Sequence, residues 1–126
     1  MIELFEIEGG VTLRGYRTSG SRPGPHVLIT AGIHGSEYPG ILAARKLRAF
    51  LSQADIAGTV TVLPLCNPTA LKERAKAIFP EDGKNLNRMF PGNPEGSASE
   101  KTAWAITQLQ DEADFYIDLH GGDLFE

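Results

Sequence analysis

The sequence predicts an α/β fold built on a mixed, mainly parallel sheet with flanking helices. Three observations point there. The runs HVLITAG (26–32), TVTVLPL (59–65) and DFYIDLH (114–120) are short and largely apolar, as expected of strands covered on both faces. Segments with apolar residues near helical spacing separate them. Strands that alternate with helices place the central strands parallel.

Taken in order, residues 2–8 and 11–18 alternate loosely between apolar and polar around Gly9-Gly10, which reads as an antiparallel hairpin. SGSRPGP (19–25) is rich in chain breakers and reads as a loop. After the strand at 26–32 and an HGSE turn, residues 38–53 set Ile41, Leu42, Leu47, Phe50 and Leu51 near helical spacing, with Ser36 as the expected cap. The strand at 59–65 ends in Cys66-Asn67-Pro68, and a short helix is expected over 69–76. The irregular stretch IFPEDGKNLNRMFPGNPEGS follows. Its Phe79, Leu86, Met89 and Phe90 argue for packed order. A further helix is expected from Ser97 to Asp111, with Ala103, Trp104, Ile106 and Leu109 facing a core, before the last strand.

A chain of 126 residues is large enough to bury one core. Its net charge of −4 gives no basic surface for nucleic acid. No stretch reaches the roughly 20 apolar residues that span a bilayer. The N-terminus lacks the basic start and apolar core of a signal peptide, and the expected location is the cytoplasm. One cysteine excludes a disulfide framework, and its apolar setting makes Cys66 a buried structural thiol.

The chemistry concentrates at two strand ends. His34 and Glu37 lie in AGIHGSEYPG, and His120 lies in FYIDLHGG. Two imidazoles and a carboxylate can hold a divalent metal and leave a fourth position for water, the pattern of a catalytic zinc site. The H-x-x-E spacing lets both side chains reach one ion where a strand enters a helix. His120 joins them if the strands at 26–32 and 114–119 are parallel neighbours, since ligands bind outside the carboxyl ends of such strands. Asp118 is either the acceptor for the other ring N–H of a ligating imidazole or a solvent-facing strand residue. A phosphate-loop reading of GIHGSEYPG is weak, because the Gly-Lys-Ser/Thr ending is missing. His26, beside a proline and without a partner motif, reads as structural.

The succession HGSE, NP-x-A, DGKNLNRMFPG and DLHGG resembles the succinylglutamate desuccinylase/aspartoacylase family, a branch of the zinc carboxypeptidase clan, over residues 26 to 122. The resemblance implies a zinc-carboxypeptidase-like fold and one Zn²⁺ per chain, held by His34, Glu37 and His120. It also implies that Asn87 and Arg88 grip the free carboxylate of an N-acyl amino acid. That suits a guanidinium, whose planar fork matches a carboxylate. Asp82 and Gly83 then serve as turn formers that place NLNR. The family's oxyanion-stabilising arginine falls at Arg74, with Lys76 the other residue in range. Its general base is a glutamate on a later strand; Glu126 is too close to His120 for that role.

The implied function is therefore a zinc-dependent hydrolase that cleaves small N-acyl amino acids or related amides by metal-activated water. Residues 1–126 are expected to be its N-terminal portion, inactive in isolation. A zinc carboxypeptidase, an ester deacylase and a non-catalytic metal- or carboxylate-binding domain share the same residues. Co²⁺ or Mn²⁺ suits such ligands as well. The expected unpaired sheet edge offers a route to a homo-oligomer.

Overall fold

The computed structural model describes residues 1–122. Glu126 therefore lies outside the described residues. The chain forms β1 (Ile2–Gly9), β2 (Val11–Ser19), β3 (Arg22–Ala31), α1 (Tyr38–Leu51), β4 (Ala57–Leu63), α2 (Pro68–Glu73), a 3-10 turn at Leu86–Arg88, α3 (Ala98–Glu112) and β5 (Phe115–Leu119). One five-stranded sheet runs in the order β1-β2-β4-β3-β5. The hairpin β1–β2 and the β2–β4 pair are antiparallel, whereas β4–β3 and β3–β5 are parallel.

The sheet is covered on both faces because consecutive strand residues point to opposite sides. In β4, Val62 packs with Tyr16, Ala31, Ile41, Ala44 and Leu51 beneath α1. Its neighbour Leu63 packs with Leu13, Ile33, Phe79, Leu86, Ala103 and Ile106 beneath α3. Phe79 and Leu86 are fully buried, so the irregular stretch between α2 and α3 is a packed layer. Each such side chain contributes about 1.5–3 kcal/mol through burial. No helix among the described residues is long and apolar enough to cross a membrane.

Several expectations need correction. Strand β3 begins at Arg22, inside the predicted loop, and its register with β4 shifts between Arg22 and His26. Pro23 and Pro25 lack the N–H groups a regular ladder would use. Ser36 does not cap α1: Glu37 is the N-cap residue, and among the described residues no side chain caps the helix and the buried Ser36 hydroxyl has no partner. Leu42 and Phe50 on α1 are exposed, and Trp104 on α3 is 38% exposed at the rim of its core. Helical spacing marks a face, and these residues lie on its margins.

Strand β5 departs furthest from expectation. Phe115, Tyr116 and Ile117 are all exposed, and among the described residues β5 has a ladder partner on one edge only. Cys66 is fully buried as expected, and burial pushes its thiol well above the ordinary range. His26 is structural: its ring lies 2.7 Å from Thr61 Oγ1 and 3.1 Å from the Glu112 carbonyl.

Candidate metal centre

Parallel pairing of β3 with β5 sets Ala31 opposite Leu119, so the two strands end together. The residues just beyond them are the predicted trio. Gly32 turns the chain out of β3 with φ +67°, a left-handed conformation that side chains resist. Gly35 then brings the loop against α2. A Cβ there would stand 2.4 Å from the Leu71 nitrogen, closer than any side chain allows.

His34, Glu37 and His120 meet at this point, with one ligand atom from each lying within 4.8 Å of the others. Glu37 stands between the rings. Its Oε2 is 2.7 Å from His34 Nδ1, and its Oε1 is 2.9 Å from His120 Nδ1. The rings face each other edge-on at 5.3 Å. The side chains of His34 and Glu37 are 15% and 11% exposed, and that of His120 is 36% exposed. The site is thus walled by protein yet open to a small molecule on the His120 side.

The outward nitrogens are occupied as well. His34 Nε2 is 2.9 Å from Asn85 Oδ1, and His120 Nε2 is 2.7 Å from Asp118 Oδ2. Oxygen acceptors at both Nε2 atoms favour a proton there, which leaves Nδ1 as the atom each ring would offer a metal in place of its hydrogen bond to Glu37. Metal-ligating histidines are held in the same way. This donor set fits a divalent ion such as zinc: two imidazole nitrogens and a carboxylate converge, and the oxygen acceptors at Nε2 favour the tautomer that ligates through Nδ1.

Charge agrees with that geometry. Burial works to raise the Glu37 carboxyl, but hydrogen bonds from the Gly121 N–H and both imidazoles outweigh it and hold Glu37 below the usual range. For His120, burial favours the neutral ring, and the bonds to Asp118 and Glu37 prevail and raise its pKa. Behind Asp118 the network continues. Thr30, fully buried, gives its proton to Asp118 Oδ1 at 2.7 Å and so accepts from the Tyr116 hydroxyl at 2.6 Å. Although the residue as a whole is exposed, desolvation around this phenol pushes it up to about 12. Of the two expectations for Asp118, the structure places it against His120.

Asn85 was not anticipated. The sequence marks NLNR as one motif, and nothing in its composition says which Asn faces the His34 loop. The structure makes Asn85 the N-cap of the 3-10 turn, with Oδ1 accepting from the Asn87 N–H at 3.0 Å. Asn87 is half-buried and Arg88 is exposed on that turn. Arg74 occupies the C-cap of α2 at φ 55° and is exposed. Among the described residues neither guanidinium has an ion-pair partner. Asp82 acts as the expected turn former. One oxygen takes the Lys84 N–H, while the other takes the N–H and hydroxyl of Ser99 in the first turn of α3.

Comparison with known proteins accords with this geometry. The chain is 44% identical over 100 residues to an N-alpha-acetyl-L-2,4-diaminobutyric acid deacetylase of Halomonas elongata; the match takes in 79% of this chain and 29% of that protein. It superimposes on the crystal structure of an aspartoacylase family protein from Mesorhizobium loti with a TM-score of 0.85 and 36% identity, over 95% of this chain and 40% of that one. A metallo-carboxypeptidase from Pseudomonas aeruginosa shares the fold alone, with a TM-score of 0.65 and 17% identity over 96% of this chain and 35% of that one. Residues 23–124 match the succinylglutamate desuccinylase/aspartoacylase catalytic domain, and the chain belongs to that family.

Proposed function

We propose that residues 1–126 form the metal-holding, N-terminal portion of a zinc-dependent amidohydrolase that removes the acyl group from N-acyl amino acids. One observation carries the reading: His34, Glu37 and His120 converge through Nδ1 and carboxylate atoms while both Nε2 atoms are held by oxygen acceptors. The similarity to a deacetylase of an N-acetylated amino acid supports the substrate class.

Zinc bound by the trio supplies Lewis acidity and an acidified water. The protein supplies placement. Asn85 and Asp118 hold the two imidazoles in the ligating tautomer, and Thr30 holds Asp118. Arg88 offers a planar fork to the substrate carboxylate, and Asn87 adds a side-chain donor beside it. Fixing that end of the substrate orients the amide toward the metal centre. Arg74, without a competing carboxylate, is the candidate donor to the oxyanion that develops on the carbonyl. The general base is a carboxylate expected from a later part of the catalytic domain, so residues 1–126 alone should bind zinc without turnover.

The experiment is in two parts. Metal content is measured on this chain after dialysis against trace zinc, beside its His120→Ala variant. N-acetyl amino acids and their carboxamide analogues are then offered to the zinc-loaded complete domain. One zinc per chain, lost in the variant, with cleavage of the carboxylates and not the carboxamides, is the expected result. Zinc uptake without cleavage by the complete domain would leave a metal-binding domain and refute the hydrolase.

A further inference from the structure

We propose that Asn85 makes metal binding at His34 and ordering of the Asn87-Arg88 turn a single coupled event. The inference rests on the zinc reading above and adds a device to it. One carboxamide oxygen serves two masters: Asn85 Oδ1 lies 2.9 Å from His34 Nε2 and 3.0 Å from the Asn87 nitrogen. Asn85 is also the N-cap of the turn that carries Asn87 and Arg88. The metal ligand and the residues placed at the substrate carboxylate thus share one acceptor.

A neutral imidazole has one donor and one acceptor nitrogen, so its tautomer dictates which end of the Asn85 amide must face it. With a metal on His34 Nδ1, the proton resides on Nε2. The carboxamide then presents Oδ1, and that same oxygen caps the Asn87 N–H. Without a metal, Nδ1 can keep the proton and donate it to Glu37 Oε2, 2.7 Å away. Nε2 now offers a lone pair, which is best met by the Asn85 NH₂ group. A half-turn of the amide satisfies it but sets an N–H donor against the Asn87 N–H, and the cap is lost.

The amide orientation is therefore a two-state element biased by the metal. The metal-loaded state holds the turn; the metal-free state releases it. Coupling of this kind is reciprocal, so a carboxylate that orders Asn87-Arg88 also tightens the metal. Asn is what makes the device switchable. An Asp at the same position would offer oxygen in either orientation.

The test reads the turn and the tautomer rather than activity. The His34 tautomer is followed by long-range ¹⁵N–¹H NMR, and amide hydrogen exchange is followed at Asn87. Both are measured metal-free and with one equivalent of zinc at fixed pH, in the natural protein and in Asn85→Asp. In the natural protein, zinc should fix the proton on Nε2 and slow exchange at Asn87 about 10-fold, the worth of one net hydrogen bond. In Asn85→Asp, brought to one bound zinc per chain by raising the zinc concentration and checked by metal analysis, Asn87 should be protected in both states. Zinc uptake with unchanged exchange at Asn87, or the same zinc-dependent slowing in Asn85→Asp, overturns the coupling and leaves the hydrolase reading intact. Coupling without hydrolysis by the complete domain has the opposite meaning. Failure to bind zinc overturns both.

Discussion

Thr30 and Asp118 sit directly opposite one another across the β3–β5 ladder, joined by a 2.7 Å hydrogen bond from the buried hydroxyl. Asp118 spends its other oxygen on His120 Nε2. A residue near the carboxyl end of β3 therefore governs the angle of a ring just beyond the end of β5. Thr30→Val keeps the shape and removes the donor. It should weaken zinc binding by up to about 10-fold, the low end of what losing an outer hydrogen bond to a metal ligand costs, since Thr30 acts on His120 through Asp118. Thr30→Ser should restore it. Competition with a chromogenic chelator measures both. Equal affinity in Thr30→Val would show that Asp118 holds His120 unaided.

The two exposed arginines should separate by kinetic signature in the complete domain. Arg88→Ala removes a charge-assisted grip on the substrate carboxylate and should raise KM about 10–100-fold with little change in kcat. Arg74→Ala removes an oxyanion donor and should lower kcat by about 10²–10³. A normal KM for Arg88→Ala ends its assignment. An unchanged kcat for Arg74→Ala moves the oxyanion role to Lys76 or removes it from this segment.

Much of the fold is legible in the sequence because period and punctuation report directly on backbone geometry. The hairpin, β4 and both long helices fall near their expected bounds, and the parallel pairing of β3 with β5 meets the condition on which the union of His34 with His120 depended. What escaped prediction depends on neighbours. Whether β5 is covered, or whether Trp104 reaches the core, is decided by surfaces that a local pattern does not contain. The Ser36 cap failed for a related reason: Glu37 takes the N-cap position and its carboxylate is committed to two imidazoles and the Gly121 N–H. The trio was legible because it stands at strand ends among glycines. Asn85 was not, since only the packed layer between α2 and α3 brings it to His34.

That packing makes Gly35 a second control point. A methyl group there meets the Leu71 nitrogen at 2.4 Å and the Asn67 oxygen at 2.7 Å, both backbone atoms that cannot swing aside. Gly35→Ala should push the His34 loop off α2, lowering both stability and zinc affinity. Gly83→Ala provides the contrast. Its Cβ meets nothing within 4 Å, although its φ of +72° carries strain of about 1–2 kcal/mol. It should lower Tm while leaving zinc affinity unchanged. If both variants bind zinc like the natural protein, the loop is not held by its contact with α2.

Asp82 gives the acid limb of stability a specific cause. Burial works to raise its carboxyl, but the Ser99 and Ser97 hydroxyls and the Ser99 and Lys84 N–H groups prevail and bring it down to about 2 from an ordinary 3.8. The folded state therefore favours the ionised form. Its contribution is fully present above about pH 4 and is lost as pH falls toward 2, because the unfolded chain takes up the proton first. Asp82→Asn should be less stable than the natural protein by about 1 kcal/mol at pH 6, the usual worth of a helix-capping carboxylate. The gap should close between pH 4 and pH 2. Urea unfolding of the two proteins across that range measures it. A gap that stays constant with pH would mean that Asp82 holds the start of α3 by shape and neutral hydrogen bonding, with its charge contributing nothing.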